Sequence, residues 1–331
     1  MLEQAGVPCP WHQSAWSGLV QQPRHAHAYL FGGPPGVGKR RFAEAFAAFL
    51  LCLSPQSEAA CGRCRSCLLR QAGSHPDVLT VIPEEEGKAI RVDAVRKVSE
   101  FIAQTAQQGG RKVVMLSPAE AMNQNAANAL LKSLEEPTRE TFLLLVSDQP
   151  SRLLATIRSR CLVQALGMPS ADEGVRWLEE RLPELDAQQR QALLIKANGA
   201  PLRAAGLAEI DALSMRAEVV EGVKALLKSQ AGASQLAERW SKIPLELIVD
   251  WFHAWTLDLL RLSTGAAETA ANADMDKVLG YMAQRLEPSA FMQWQTWLLE
   301  HRGMVMGKAN LNRVLLLESL LIQWKQLVER R

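Results

Sequence analysis

The run Gly33-Pro34-Pro35-Gly36-Val37-Gly38-Lys39 constrains this chain more than any other stretch. It follows the apolar segment Ala28-Tyr29-Leu30-Phe31 and leads into a helical pattern from Arg40 to Leu53. A glycine-rich turn between a strand and a helix lets backbone N–H groups curl around phosphate oxygens, and the helix N-terminus adds positive potential. Gly33, Gly36 and Gly38 supply the turn, and Lys39 would reach the terminal phosphates. A P-loop α/β fold is the expectation.

The next position breaks the phosphate-loop pattern. Arg40 stands where a Ser or Thr hydroxyl should hold Mg²⁺. The apolar run Val113-Val114-Met115-Leu116 should end in acids that hold the metal and orient the attacking water, but Ser117-Pro118 follow it. Glu120 lies two residues further on, out of line with such a metal. These residues argue against nucleotide hydrolysis. They leave open whether Gly33 to Lys39 still binds nucleotide or survives only as scaffold.

Val78 to Ile82 and Phe142 to Val146 are further short apolar runs that fit buried parallel strands. Between them, Ala127, Leu130, Leu131 and Leu134 form one helical face with Pro137 as a stop. Strand–helix alternation implies a parallel sheet covered on both faces. After about residue 167 the strand pattern ends. Ser170 and Glu173 make a capping box, and Pro183, Gly199 and Pro201 punctuate a short helical unit. From about residue 209 the chain reads as helix, with Pro244 as a first helical residue and Thr264 to Ala273 as a loop. Leu245, Ile248, Val249, Phe252, Trp255 and Leu259 share one stripe, and Leu311 to Val328 repeats the style. The expected division is an α/β domain at 1–167, a small helical domain at 168–208 and an all-α domain at 209–331. The six Trp of the last third suit a helical core, and their density also suits a subunit interface.

Charge is balanced: 37 Lys plus Arg against 35 Asp plus Glu in 331 residues. That weighs against a basic nucleic-acid coat. No apolar run approaches the ~18 residues of a membrane span, and Met1-Leu2-Glu3-Gln4 lacks the features of a secretory signal. A cytosolic protein is expected. Four of the six cysteines, Cys52, Cys61, Cys64 and Cys67, crowd together and could clasp one ion in a closed four-sulfur structural zinc site. An iron–sulfur cluster is the competing reading, although Leu68-Leu69-Arg70 does not continue the ferredoxin run. Unliganded thiols are the third. The six His show no helical ligand spacing.

The segment from Asn123 through Ala126-Ala127-Asn128-Ala129-Leu130-Leu131-Lys132-Ser133-Leu134-Glu135-Glu136-Pro137 resembles the central block of bacterial clamp-loader subunits of the AAA+ class. Ser159-Arg160-Cys161, after Leu153-Leu154-Ala155-Thr156-Ile157-Arg158, resembles the same family. With the phosphate loop and the cysteines, the resemblance covers roughly residues 10–205. In that family the motor subunits, gamma/tau, keep both nucleotide motifs intact, whereas the delta prime type has degenerate ones. Arg40, Ser117 and Pro118 are similar to the second type.

The resemblance implies a RecA-like AAA+ module, a helical lid and a helical collar that joins gamma/tau and delta subunits in a heteropentameric ring. That ring, within the DNA polymerase III holoenzyme, loads a sliding clamp on primed DNA. It further implies that Arg160, flanked by Ser159 and Cys161, is an arginine finger for the ATP of a neighbouring subunit, and that Cys52, Cys61, Cys64 and Cys67 hold zinc. By the same resemblance Arg203 is a lid arginine that senses nucleotide. Asp148 falls where active relatives carry a small polar sensor, and an acid there would repel phosphate. On its residues alone, Arg160 also reads as a salt-bridged arginine at a strand edge. Two other functions compete: a self-sufficient P-loop ATPase or kinase, and a zinc-dependent DNA-binding module.

Overall fold

The protein is seen in a computed structural model that describes residues 7–329 except Glu86, Pro137 and Lys308. The N-terminal tetrapeptide and the Pro137 stop therefore lie outside the described residues. The chain divides into two compact units, Met1–Glu209 and Ile210–Arg331.

In the first unit, α1 (Gln13–Val20) precedes β1 (Ala28–Gly32), which runs through the phosphate loop into α2 (Lys39–Leu51). There follow α3 (Arg65–Gln71), β2 (Val78–Val81), α4 (Val92–Ala103), β3 (Lys112–Leu116), α5 (Gln124–Glu135) and β4 (Thr141–Ser147). The short α6 (Ala155–Arg158) leads to β5 (Leu162–Ala165), and α7 (Ala171–Arg181), α8 (Ala187–Lys196) and α9 (Pro201–Glu209) complete the unit. All strand pairs are parallel, in the order β2-β3-β4-β1-β5.

Alternation along each strand divides its side chains between two layers. Tyr29 and Phe31 of β1, with Val113, Met115, Phe142 and Leu144, pack on Trp16 of α1 and on Phe42 and Phe46 of α2. Leu30, Val114, Leu116, Leu143 and Leu145 pack on the other side against Val95 and Val98 of α4 and Leu130 and Leu134 of α5. Both faces are covered, which is why these strands read as continuous apolar runs. β5 is different. It is an edge strand with Leu162 and Val163 exposed, and it carries no apolar-run signal. Ser170 and Glu173 form the expected capping box at α7.

In the second unit, every described element is helical: α10 (Ala212–Leu227), α11 (Ala233–Arg239), α12 (Leu245–Ser263), α13 (Asp276–Ala283), α14 (Pro288–Met306) and α15 (Arg313–Glu329). Pro244 caps α12 with extended backbone instead of opening it as the first helical residue. Trp240, Trp255, Trp294 and Trp324 are fully buried, and Phe252 lies 4.9 Å from Trp255 and 5.2 Å from Trp324 by ring centroids. These four indoles lie in the core of the unit. Gly222 is required where α10 meets Trp240: a Cβ there would stand 2.5 Å from the indole ring. Among the described residues no helix is long and apolar enough to cross a membrane.

Candidate functional site

The phosphate loop lies at the C-terminal edge of the sheet, where β1 sits between β4 and β5. Ligands of open α/β sheets bind at such a position. Gly36 and Gly38 have φ of +77° and +97°, conformations that side chains with a Cβ rarely adopt. The space around them is filled by protein. A Cβ on Gly36 would stand 2.7 Å from the Arg203 Cβ, and one on Gly38 would stand 2.6 Å from the Cys9 sulfur. At Gly33 the carbonyl oxygen of Leu166 would be 2.1 Å away. Trp11 donates its indole N–H to the Val37 carbonyl at 3.0 Å. The loop is thus enclosed by the N-terminal segment on one side and by α9, with Arg203, on another.

Lys39 is 3% exposed, and its ammonium lies 2.6 Å from the Asp148 carboxylate while also donating to the Pro34 carbonyl. Asp148 directly follows β4, beside β1, so the parallel sheet brings the two residues together. Glu120 does not face the loop as a metal ligand. Its Oε1 accepts the N–H groups of Asp148 at 2.8 Å and Gln149 at 3.2 Å, fixing the turn that carries Asp148. Arg40 pairs with Glu44 at 2.9 Å, one helical turn on. A phosphate entering this loop would have to displace Asp148 from Lys39 and then sit beside its negative charge. Two like charges 4 Å apart repel by about 4 kcal/mol at an effective dielectric of 20. Below the loop, burial lowers the pKa of His12, with Lys39 adding to the shift, so the imidazole stays neutral.

The four cysteine sulfurs lie within 4.8 Å of one another. Cys52 ends α2, Cys64 caps α3, and Cys61-Gly62-Arg63-Cys64 turns tightly through Gly62 at φ +70°. Backbone N–H groups of Cys61, Cys64 and Cys67 donate to the sulfurs of Cys52, Cys61 and Cys64. The Cys52 and Cys64 sulfurs are 4.0 Å apart, far beyond the ~2.05 Å of a disulfide. The four thiols could hold one metal ion. Burial opposes ionisation of Cys64, but the N–H groups of Cys67 and Leu53 and neighbouring thiols bring its pKa down to about 6. Burial and the Cys64 contact push Cys67 up to about 12.

The insertion between Cys52 and Cys61 is tied to α1. Glu58 accepts hydrogen bonds from Ser17 at 2.7 Å, Gln21 at 2.7 Å and Gln13 at 3.2 Å, and its carbonyl accepts from Trp16 at 2.8 Å. Sequence reading did not single out Glu58, because a lone acid in a loop carries no motif.

Arg160 lies between α6 and β5. Its neighbour Cys161 is buried in the core, and burial alone raises that thiol's pKa to about 12. Arg160 stays 35% exposed. Its guanidinium pairs with Glu135 at 2.7 Å and donates to the Thr156 carbonyl at 2.9 Å, with the Ser159 hydroxyl at 3.4 Å. The salt-bridged geometry considered for this residue is present, on a side chain that remains accessible.

Two family models match the chain. "DNA polymerase III, delta subunit" covers residues 12–169, and "DNA polymerase III, delta subunit, C terminal" covers 211–326. The chain is 53% identical to DNA polymerase III subunit delta' of Pseudomonas aeruginosa, over 96% of this chain and 97% of that protein. It is 35% identical to the subunit delta' of Escherichia coli, over 95% of this chain and 94% of that one. A solved gamma-subunit-related protein of DNA polymerase III from Thermotoga maritima aligns at 21% identity and a TM-score of 0.46, over 96% of this chain and 99% of that chain. The degenerate phosphate loop, the cysteine cluster and the Ser-Arg-Cys segment therefore sit in a chain that belongs to the DNA polymerase III delta prime family.

Proposed function

We propose that this chain is a non-hydrolysing subunit of a bacterial clamp loader, whose contribution to ATP turnover is Arg160 offered to a neighbouring subunit. The observation that carries the reading is the Lys39–Asp148 ion pair: the lysine that should hold a phosphate is already held by a carboxylate. Arg40 and Ser117-Pro118 remove the remaining metal contacts. An accessible arginine anchored by a buried Cys161 supports the second half of the reading. A guanidinium aimed at a transferring phosphoryl group is worth ~10³–10⁵ in rate in well-studied systems. The names of the relatives support membership of DNA polymerase III. In this reading the partners are gamma/tau and delta subunits in a ring, with the clamp and primed DNA met through the complex in the cytoplasm. Residues 168–208 then serve as the lid and 209–331 as the collar.

The same reading assigns zinc to Cys52, Cys61, Cys64 and Cys67. Tetrahedral zinc with Zn–S of about 2.3 Å sets sulfurs about 3.8 Å apart, close to the Cys52–Cys64 separation of 4.0 Å. A [4Fe–4S] cluster puts each thiolate on a different iron and a [2Fe–2S] cluster puts two on each, so either spreads the set of four sulfurs further than a single ion does. With four sulfurs and no open position, the ion would stiffen the insertion after α2 and take no part in chemistry.

The test is ATP hydrolysis by reconstituted complexes. Arg160→Ala should leave folding and assembly intact and lower clamp- and DNA-stimulated turnover in part, because only the one neighbouring site is affected. Arg160→Lys should rescue poorly, since a point charge does not reproduce the planar fork. Unchanged turnover in a fully assembled Arg160→Ala complex would refute the arginine role. Robust phosphate release by the isolated chain would instead favour a self-sufficient ATPase.

A further inference from the structure

We infer that Glu135 is the positioning residue for Arg160, holding the guanidinium ready for a phosphoryl group on another subunit. The inference rests on the reading of Arg160 as a group that acts in trans. Glu135 is the last residue of α5, and its place is set by the burial of Leu130 and Leu134 on the same helix and by the Asn123 cap at the other end. The carboxylate meets one terminal nitrogen of Arg160 at 2.7 Å, and the Thr156 carbonyl meets the other at 2.9 Å. Two separate helices, α5 and α6, therefore grip the guanidinium at both ends and define its plane.

A guanidinium has five N–H donors in a rigid fork. Glu135, Thr156 and Ser159 engage three of them. The Nε hydrogen and one Nη2 hydrogen remain for an incoming anion. An arginine on a flexible stem would otherwise lose rotamer freedom on meeting phosphate, and prior orientation removes that cost. Glu135 touches no reacting atom, so its effect runs entirely through Arg160. The charge-assisted contact also holds the side chain against the competing surface positions that a free arginine would sample.

The experiment uses complexes reconstituted with gamma/tau, delta, clamp and primed DNA, carrying wild-type, Arg160→Ala, Glu135→Ala, Glu135→Gln or the Arg160→Ala/Glu135→Ala double variant. Gel filtration checks assembly. Glu135→Ala should remove most of the turnover that Arg160→Ala removes, as a fall in kcat with KM for ATP little changed. Glu135→Gln keeps an acceptor oxygen and should recover about half of that loss. The double variant should be no slower than Arg160→Ala alone. If Arg160→Ala slows the complex while Glu135→Ala turns over normally or faster, the positioning role is overturned and the arginine reading stands. An additive loss in the double variant overturns it equally. If Arg160→Ala itself changes nothing, the reading and the inference fall together.

Discussion

Replacing Asp148 by alanine tests how the phosphate loop is sealed. The Lys39 ammonium is 3% exposed and has two partners, the Asp148 carboxylate at 2.6 Å and the Pro34 carbonyl. Removing one member of a fully buried ion pair costs about 3–5 kcal/mol, because the other charge stays buried and unpaired. A fully exposed pair is worth about 0–1 kcal/mol. Asp148 is 43% exposed, which places this pair between those limits. The expected cost of Asp148→Ala is therefore about 2 kcal/mol. For a unit of this size that lowers the midpoint by about 4–8 °C.

The opposite truncation, Lys39→Met, leaves a carboxylate that water can reach, so it should cost less than ~1 kcal/mol. The double variant should be no less stable than Asp148→Ala, since the stranded ammonium is gone. Thermal unfolding of the purified chain by circular dichroism at neutral pH measures all three. The reasoning fails if Asp148→Ala melts with the wild type, or if Lys39→Met is the more damaging change.

Cys64→Ser should release most of the bound metal, measured by elemental analysis, while leaving assembly intact, because a structural ion contributes mainly to its own module. Iron and visible absorbance in the wild-type protein would overturn the zinc assignment. In the second unit, Arg216 is buried, pairs with Asp274 at 2.6 Å, and stacks on Trp251 and Trp255. Asp274→Ala removes the counter-ion of that buried guanidinium and leaves it the neutral Asn272 oxygen at 2.8 Å, which should destabilise the unit by about 2 kcal/mol with a change in tryptophan emission; wild-type denaturation midpoints would contradict this. His12, His25, His75 and His253 all have pKa values lowered by burial. The unfolded chain binds more protons than the folded one below the ordinary histidine value of 6.5. Stability should be complete above that pH and fall on acidification, and a denaturation midpoint flat from pH 7 to about 5 would contradict the sign.

The amino-acid sequence alone determined what depends on neighbours in the chain. A phosphate-loop backbone needs glycine where φ is positive, so Gly36 and Gly38 announce the turn. Strands β1, β3 and β4 are legible because burial on both faces makes each a continuous apolar run. The cysteine cluster is legible because its four thiols lie between residues 52 and 67, where spacing already limits how far the sulfurs can part. The α12 stripe and the Ser170 capping box follow helical periodicity in the same way.

Only the tertiary structure decided the rest. β5 is held by parallel pairing with β1, so Leu162 and Val163 need no buried pattern to belong to the sheet. Asp148 looked like a group that merely repels phosphate; the strand order that sets β4 beside β1 makes it the counter-ion of Lys39. Glu58 gains its partners by the docking of the cysteine insertion on α1, and Glu135 meets Arg160 because α5 ends beside α6. Each of these is a polar contact between segments distant in the chain. Sequence periodicity reports which face of an element is buried, whereas an ion pair depends on which two elements the sheet order makes neighbours.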